Sequence, residues 1–368
     1  MAGKGYSRHD TGGTVHPLRQ AWQQRVFELM GPDRDQHAQG TDNFARYRFG
    51  PSAPDRTYAL NRWRQIIDEH MDRFAGTWDL LADDASRAVL LECLTFNAFG
   101  WRMVRRAKNT PEYQDFVKAL ASEAGHPAFP MLQRNVRPIR HKHLHMHHLL
   151  EDDLKLVTSD GFFINVMHNR QYFLERPGVS TGPREGDVVL DCGAGWGDTS
   201  MLFGRKVGPD GLVVGFEFTP SNVSAIRQHF VMNEEMRNRV KIITHPLGEK
   251  SGQSVSFDDM ATSTRTTAKG KHRAETRSID DVVHVMKLPK VDVIKMDIEG
   301  AEYAALRGAV RTIRRFGPRL SISAYHRPDD LFVLPMLIQA IRPDYTFYLD
   351  HHTIHHEETV LYAIPPAS

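Results

Sequence analysis

The chain is poor in cysteine: Cys93 and Cys192 are the only two in 368 residues. No disulfide framework is expected, and a reducing, cytoplasmic compartment fits. Long apolar runs are lacking too. No window approaches the roughly 18 to 20 apolar residues of a membrane span, so none is expected. Nor is there an excess of either charge. A formal net charge of +2 argues against a general electrostatic binder, so no nucleic-acid partner is expected. The opening stretch MAGKGYSRHDTGGTVHP has no apolar segment of the kind a signal peptide carries, and is read as none. What remains is ordinary for a globular protein, with 25% charged and 40% hydrophobic residues. The length suggests two domains or one large one.

Residues 188–199, VVLDCGAGWGDT, are the most informative. An apolar run entering a glycine-dense turn is how a buried parallel strand offers backbone to a nucleoside-sized ligand. Glycine permits positive φ and a close approach to the main chain. The dinucleotide fingerprint G-x-G-x-x-G would need its third glycine at Asp198, which counts against it. The pattern is instead Asp-x-G-x-G-x-G, beginning at Asp191. A second acid, Glu217, closes the next apolar run, LVVGFEF, where a carboxylate can take both hydroxyls of a ribose. An acid facing a glycine turn suits a cationic ligand better than a phosphate. S-adenosylmethionine has a sulfonium, an ammonium, a ribose and no phosphate.

Three regions are expected: a helical N-terminal region (1–125, its first 20 residues mobile), a connector (126–186), and a catalytic domain (187–368). Helices are read at 61–74, 83–104 and 111–125, from apolar spacing, the caps Asp83, Asp84 and Ser86, and Pro111 near a first turn. Short strands are expected in the connector, including 155–166. From 187 onward strands and helices alternate, predicting an α/β, mostly parallel, doubly wound sheet. One helix is read over 301–316 and another near 330–341. The runs 345–354 and 358–364 predict a C-terminal antiparallel hairpin. The polar, basic segment 259–277 is read as a mobile lid or substrate loop.

Ligands of open α/β sheets bind beyond the carboxyl ends of the strands. Asp191 with the glycine turn, Glu217, His245 to Gly248, Asp297 with Glu299, and Tyr325 with His326 all fall there. Helix capping would explain any one of them, and for Asp297 and Glu299 capping and function are expected together. Lys295 is read as a structural ion-pair partner. His326 is a candidate base, a histidine's ordinary pKa lying near working pH, with a hydrogen-bonded sheet-end residue as the alternative. The histidines of HKHLHMHH (141–148) and HHTIHH (351–356) are read first as polar strand faces and second as pocket lining.

In this order, VVLDCGAGWGDTS, VVGFEF-x-P-x-N, KMDIEGAE, LSISAYH and ETVLYA resemble FkbM-type S-adenosylmethionine-dependent methyltransferases, over roughly residues 150–364. DDASRAV resembles what precedes the catalytic domain in some of them. The resemblance implies a Rossmann-like class I methyltransferase fold, S-adenosylmethionine as cofactor, and O-methylation of a sugar, glycan or natural-product hydroxyl in surface-glycan or secondary-metabolite pathways. By position it puts Asp191, Gly193 and Gly195 along the methionine part of the cofactor, with Ala194, Trp196, Asp198 and Thr199 beside them. Glu217 takes the ribose, with Asn222 close by. Phe218, His245, Pro246 and Leu247 frame the adenine. Asp297 faces the methyl group or the amino-acid end, and Gln171 and Tyr172 close over the cofactor.

The mechanism expected is in-line displacement at the sulfonium methyl, with an acceptor oxygen about 3 Å from it and a group to take its proton. His326 is the first choice of base and Asp297 or Glu299 the second. A divalent ion held by Asp297, Glu299 and His326 is the alternative. Two rival functions stand beside this one, a nicotinamide-dependent oxidoreductase and a non-catalytic cofactor-binding scaffold. Nothing in the N-terminal helices looks catalytic. The aromatic group Phe96, Phe99 and Trp101 predicts self-association into a homodimer, although the same helices could roof the acceptor pocket.

Overall fold

The structure is a computed structural model. It describes residues 15–30, 57–101, 103–121, 132–135, 145–149, 153–260, 264–267 and 270–366. Helices α1 (Pro17–Met30), α2 (Thr57–Leu80), α3 (Asp84–Phe99) and α4 (Pro111–Ala121) come first. Asp83 caps α3, its carboxylate accepting from the Ser86 amide at 2.7 Å, and Gly100 ends it with φ 77°. A small antiparallel sheet follows: β1 (Leu132–Asn135), β2 (His145–Leu149) and β3 (Leu154–Thr158). His145 and His147 occupy alternate positions of β2; His141 and His143 lie outside the described residues.

The central sheet contains β4 (Val188–Cys192), β5 (Leu212–Phe216), β6 (Val240–Ile243), β10 (Val293–Met296), β11 (Arg319–Ser323), β12 (Thr346–His351) and β13 (Thr359–Ile364). A separate ribbon is made of β7 (Ser254–Phe257), β8 (Thr266–Thr267) and β9 (His272–Glu275). The seven strands lie in the order β12-β13-β11-β10-β4-β5-β6. β4, β5, β6, β10 and β11 are parallel, while β13 runs antiparallel to both β11 and β12. This is the mostly parallel, doubly wound α/β sheet expected, with the expected terminal hairpin. β4 and β10 are buried along their whole length, as strands covered on both faces should be. Chain order reverses between β4 and β10, so the crevice above their carboxyl ends is the place for a ligand.

Helices α6 (Asp198–Lys206), α7 (Pro220–Met232), α10 (Glu302–Arg307), α11 (Val310–Phe316) and α12 (Asp330–Ile341) connect these strands; α5 (Asp160–Phe162), α8 (Met236–Arg239) and α9 (Ile279–Val285) are short. Three expectations need correction. The strand read over 155–166 stops at Thr158. Ser159, Asp160 and Gly161 then turn the chain into α5, which continues as the π-helical stretch Phe163–His168. The helix read over 301–316 breaks at Gly308 and Ala309. A Cβ on Gly308 would collide with the Gly248 carbonyl oxygen, and the Gly308 carbonyl accepts from the Asp280 amide at 2.8 Å. Within the segment read as a lid or substrate loop, 259–277, residues 266–267 and 272–275 are strands β8 and β9 paired with β7, while Met260, Thr264 and Arg265 line the cavity; residues 261–263 and 268–269 lie outside the described residues.

The N-terminal helices cover the β12 edge. Ser86 Oγ accepts from the Leu349 amide at 3.0 Å, and the Ala82 amide donates to the Phe347 carbonyl at 2.9 Å. Phe74 packs edge-on against Phe332 of α12, and Thr77 donates to the Leu331 carbonyl at 2.9 Å. An uncovered edge invites pairing with other chains, and these helices remove that invitation. Phe96 and Phe99 are buried in the same core as the sheet and Trp101 packs against it. Phe96 and Phe99 of the group expected to carry dimerisation are thus covered by their own chain, and Trp101 partly so.

Candidate active site

A cavity of about 1380 Å³ opens above the carboxyl ends of β4, β5 and β10. The glycine turn forms one wall. Gly193, Gly195 and Gly197 have φ of 84°, 53° and 88°, the left-handed region that glycine adopts freely. A Cβ on Gly193 would strike the Asp297 carbonyl oxygen, so that glycine also lets β4 and β10 close together. Ala194, Trp196, Asp198 and Thr199 line the same wall.

Asp191 does not. It is fully buried beneath the turn and does not line the cavity. One oxygen pairs with Lys295 Nζ at 3.1 Å, and the other accepts from Thr199 at 2.8 Å and Ser200 at 2.6 Å. Lys295 also donates to the Gly193 carbonyl at 2.6 Å. Register places Lys295 beside Asp191 on adjacent parallel strands, so the acid is a tie beneath the turn rather than a ligand. Lys295 is the structural ion-pair residue it was read to be, with Asp191 as its partner.

Glu217 stands across from the turn. Its oxygens accept from the Thr219 amide at 2.7 Å and from Asn222 Nδ2 at 3.1 Å. Burial raises its pKa, and the carboxylate lines the cavity with acceptor capacity left. Asn222 is buried and does not reach the cavity; it orients Glu217 instead. Phe218 lines the wall, edge-on to Phe257 at 4.8 Å. His245, Pro246 and Leu247 follow, with His245 Nδ1 3.0 Å from the Glu275 carbonyl.

The remaining wall centres on Asp297. Tyr172 donates to one of its oxygens at 2.8 Å and Tyr325 to the other at 3.4 Å. The same Tyr325 hydroxyl lies 3.3 Å from Glu358 Oε2, so its one proton is shared between the two acids, and Gln171 Nε2 donates to Glu358 at 2.7 Å. Tyr172, Glu299 and Glu358 all have positive φ, at 72°, 56° and 70°. Strained backbone of this kind persists where the surroundings hold it, commonly at functional sites. Glu299 sits at the rim, its Oε2 3.0 Å from Arg265, and burial raises its pKa.

His326 is buried among acids. Its Nδ1 lies 2.9 Å from Glu302 Oε1, and its Nε2 3.3 Å from Asp297 and 3.8 Å from Glu299. Burial works against its charge, but Glu302, Asp297 and Glu299 outweigh it and push the pKa up to about 10. Without a competing cation the ring is therefore protonated at neutral pH and cannot accept a proton. This counts against the expectation of His326 as general base.

Sequence reading missed Glu302, although it is the last residue of KMDIEGAE, and gave no role to Glu358 or to Trp63 of α2, which also lines the cavity. Of HHTIHH, His351 and His352 are buried and hydrogen-bonded to Thr359, Asn169 and Tyr362, whereas His356 lines the cavity. Among the described residues, the only group of three potential metal ligands is Asp297, Glu302 and His326.

Acids flank the glycine turn on both sides and Lys295 is committed to Asp191, an arrangement unsuited to a pyrophosphate. Residues 187–351 match the methyltransferase FkbM domain family. The structure is similar to that of a methyltransferase FkbM from Methylobacillus flagellatus KT, with TM-score 0.51 and 25% identity, over 82% of this chain and 60% of that one. Residues of this chain are also 38% identical over 69 positions to an arsenite methyltransferase of Halobacterium salinarum, 18% of each chain. The chain thus spans less than two thirds of either relative. No helix among the described residues is long and apolar enough to cross a membrane.

Proposed function

We propose that the protein is an S-adenosylmethionine-dependent O-methyltransferase acting on a hydroxyl of a sugar, glycan or natural-product acceptor. The observation that carries this reading is one cavity with the glycine turn and Glu217 at one side and the Asp297 cluster at the other. The FkbM domain favours it over an oxidoreductase, and the strained, buried acid cluster favours it over a scaffold. Bound there, the cofactor would supply an already activated methyl group.

The chain's residues fit such a ligand. The turn's backbone would receive the amino-acid end, with Asp198 as the nearby acid; burial raises Asp198 to about pKa 6. Glu217, held from two sides, would take the ribose diol. Tyr172 and Gln171, tied to Asp297 and Glu358, would close over the centre. Proton removal from the acceptor falls to the carboxylates. Glu299 suits it best, being at the rim with a pKa raised by burial. Trp63 gives the N-terminal region a place in the acceptor wall.

The test is incubation with methyl-labelled S-adenosylmethionine and a panel of glycosides and hydroxylated natural products. Label appearing as an ether on one acceptor class supports the proposal. Label appearing on nitrogen, sulfur or arsenic, or hydride transfer from a nicotinamide, would overturn it.

A further inference from the structure

We propose that Asp297, Glu299 and His326 form a site for one divalent cation of the magnesium or manganese class, oriented by Glu302. The inference rests on the reading of this cavity as the methyl-transfer site. Three carboxylates meet around one imidazole: Glu302 at 2.9 Å from Nδ1, Asp297 at 3.3 Å and Glu299 at 3.8 Å from Nε2. The His326 side chain is 1% exposed, and its Nε2 makes no hydrogen bond. A buried imidazole nitrogen that faces two carboxylates at the wall of a cavity, yet makes no aligned hydrogen bond to either, marks the place where a cation would replace its proton.

Asp297, Glu302 and His326 lie close enough to share an ion, each offering an atom within 4.8 Å of the others. Their bonding assigns them different roles. Glu302 Oε1 is engaged by His326 Nδ1 and by the Ile298 amide at 2.9 Å. The two ring nitrogens point away from each other, so an acid holding Nδ1 cannot share an ion with Nε2. Glu302 is a positioning residue: it holds the Nδ1 proton, so that an ion displacing the Nε2 proton meets a lone pair facing the cavity, as behind metal-bound histidines. Ligand atoms about 2.1 Å from such an ion stand about 3 Å apart when adjacent and about 4 Å apart when opposite, so the 3.3 and 3.8 Å separations contract slightly, and the Glu299 side chain moves in toward Asp297 from outside the group already within 4.8 Å.

Glu299 now pairs with Arg265, whose side chain is 57% exposed. An exposed ion pair is weak, and a cation competes with it readily. Two carboxylates and one imidazole are a hard donor set, suited to magnesium or manganese with water or an acceptor oxygen completing the shell. A hydroxyl bound to such an ion is acidified, which an unactivated alcohol requires.

The test titrates Mn²⁺ into EDTA-treated full-length protein and follows the free-ion electron paramagnetic resonance signal. One Mn²⁺ per chain is expected, displaced by Mg²⁺. His326→Gln and Asp297→Asn should each weaken binding at least tenfold while melting cooperatively. A wild-type protein that leaves the Mn²⁺ signal unchanged overturns the site, as do folded variants that bind it like wild type. Calorimetry with S-adenosylmethionine on the same EDTA-treated sample separates the two claims. Cofactor binding without Mn²⁺ binding removes the cation alone, whereas Mn²⁺ binding without cofactor binding removes the methyltransferase reading.

Discussion

Glu217→Ala isolates the cofactor claim, because the structure fixes what the carboxylate does in the absence of ligand. Its two oxygens are held by the Thr219 amide and Asn222 Nδ2, so it is already aimed when a ribose arrives. Hydrogen bonds to a charged acceptor contribute about 1.5–3 kcal/mol each. Water fills part of the vacated volume, so the net loss is set at the low end of one such bond. Affinity for S-adenosylmethionine should fall at least tenfold, about 1.4 kcal/mol. Removing the carboxylate also leaves the buried Asn222 Nδ2 without its acceptor, which costs about 1–3 kcal/mol of stability. Isothermal calorimetry measures the affinity and a thermal melt confirms that the variant is folded. Unchanged affinity in a folded variant would refute the ribose assignment.

Further outcomes follow from the ties around the turn and the acid cluster. Lys295→Met should destabilise by about 3–5 kcal/mol, because it strands the buried Asp191 charge, and adding Asp191→Asn should restore part of that; denaturant unfolding checks it. His326, raised from its ordinary 6.5 to about 10, should stay protonated at pH 8 in EDTA-treated protein by nuclear magnetic resonance. Its stabilising contribution is complete below about pH 6.5 and lost as pH rises through about 10; a ring that titrates near 6.5 would contradict the acid cluster. Phe96→Asp should unfold the N-terminal helices rather than dissociate an oligomer, since Phe96 is 5% exposed within its own chain; sedimentation together with circular dichroism distinguishes the two.

Much of this architecture is legible residue by residue. Val188–Cys192 and Asp330–Ile341 begin and end where apolar pattern and flanking residues place them, since local signals and tertiary demands agree there. FFINV is a short apolar run that helix and strand share, and the turn at Ser159 to Gly161 decided it. The break at Gly308 comes from backbone approaching from Gly248, which no local pattern carries. In the site, the turn and Glu217 are local features and were readable. Asp191 was misassigned because its direction depends on Lys295, a neighbour only through sheet register. The charge on His326 depends likewise on carboxylates that the fold gathers from two other chain positions, the Asp297–Glu299 turn and the start of α10.

The most direct measurement is calorimetric titration of the full-length protein with S-adenosylmethionine and, separately, with NAD. The account expects one S-adenosylmethionine per chain and no heat of binding from NAD; binding of NAD, or of neither ligand, would contradict it.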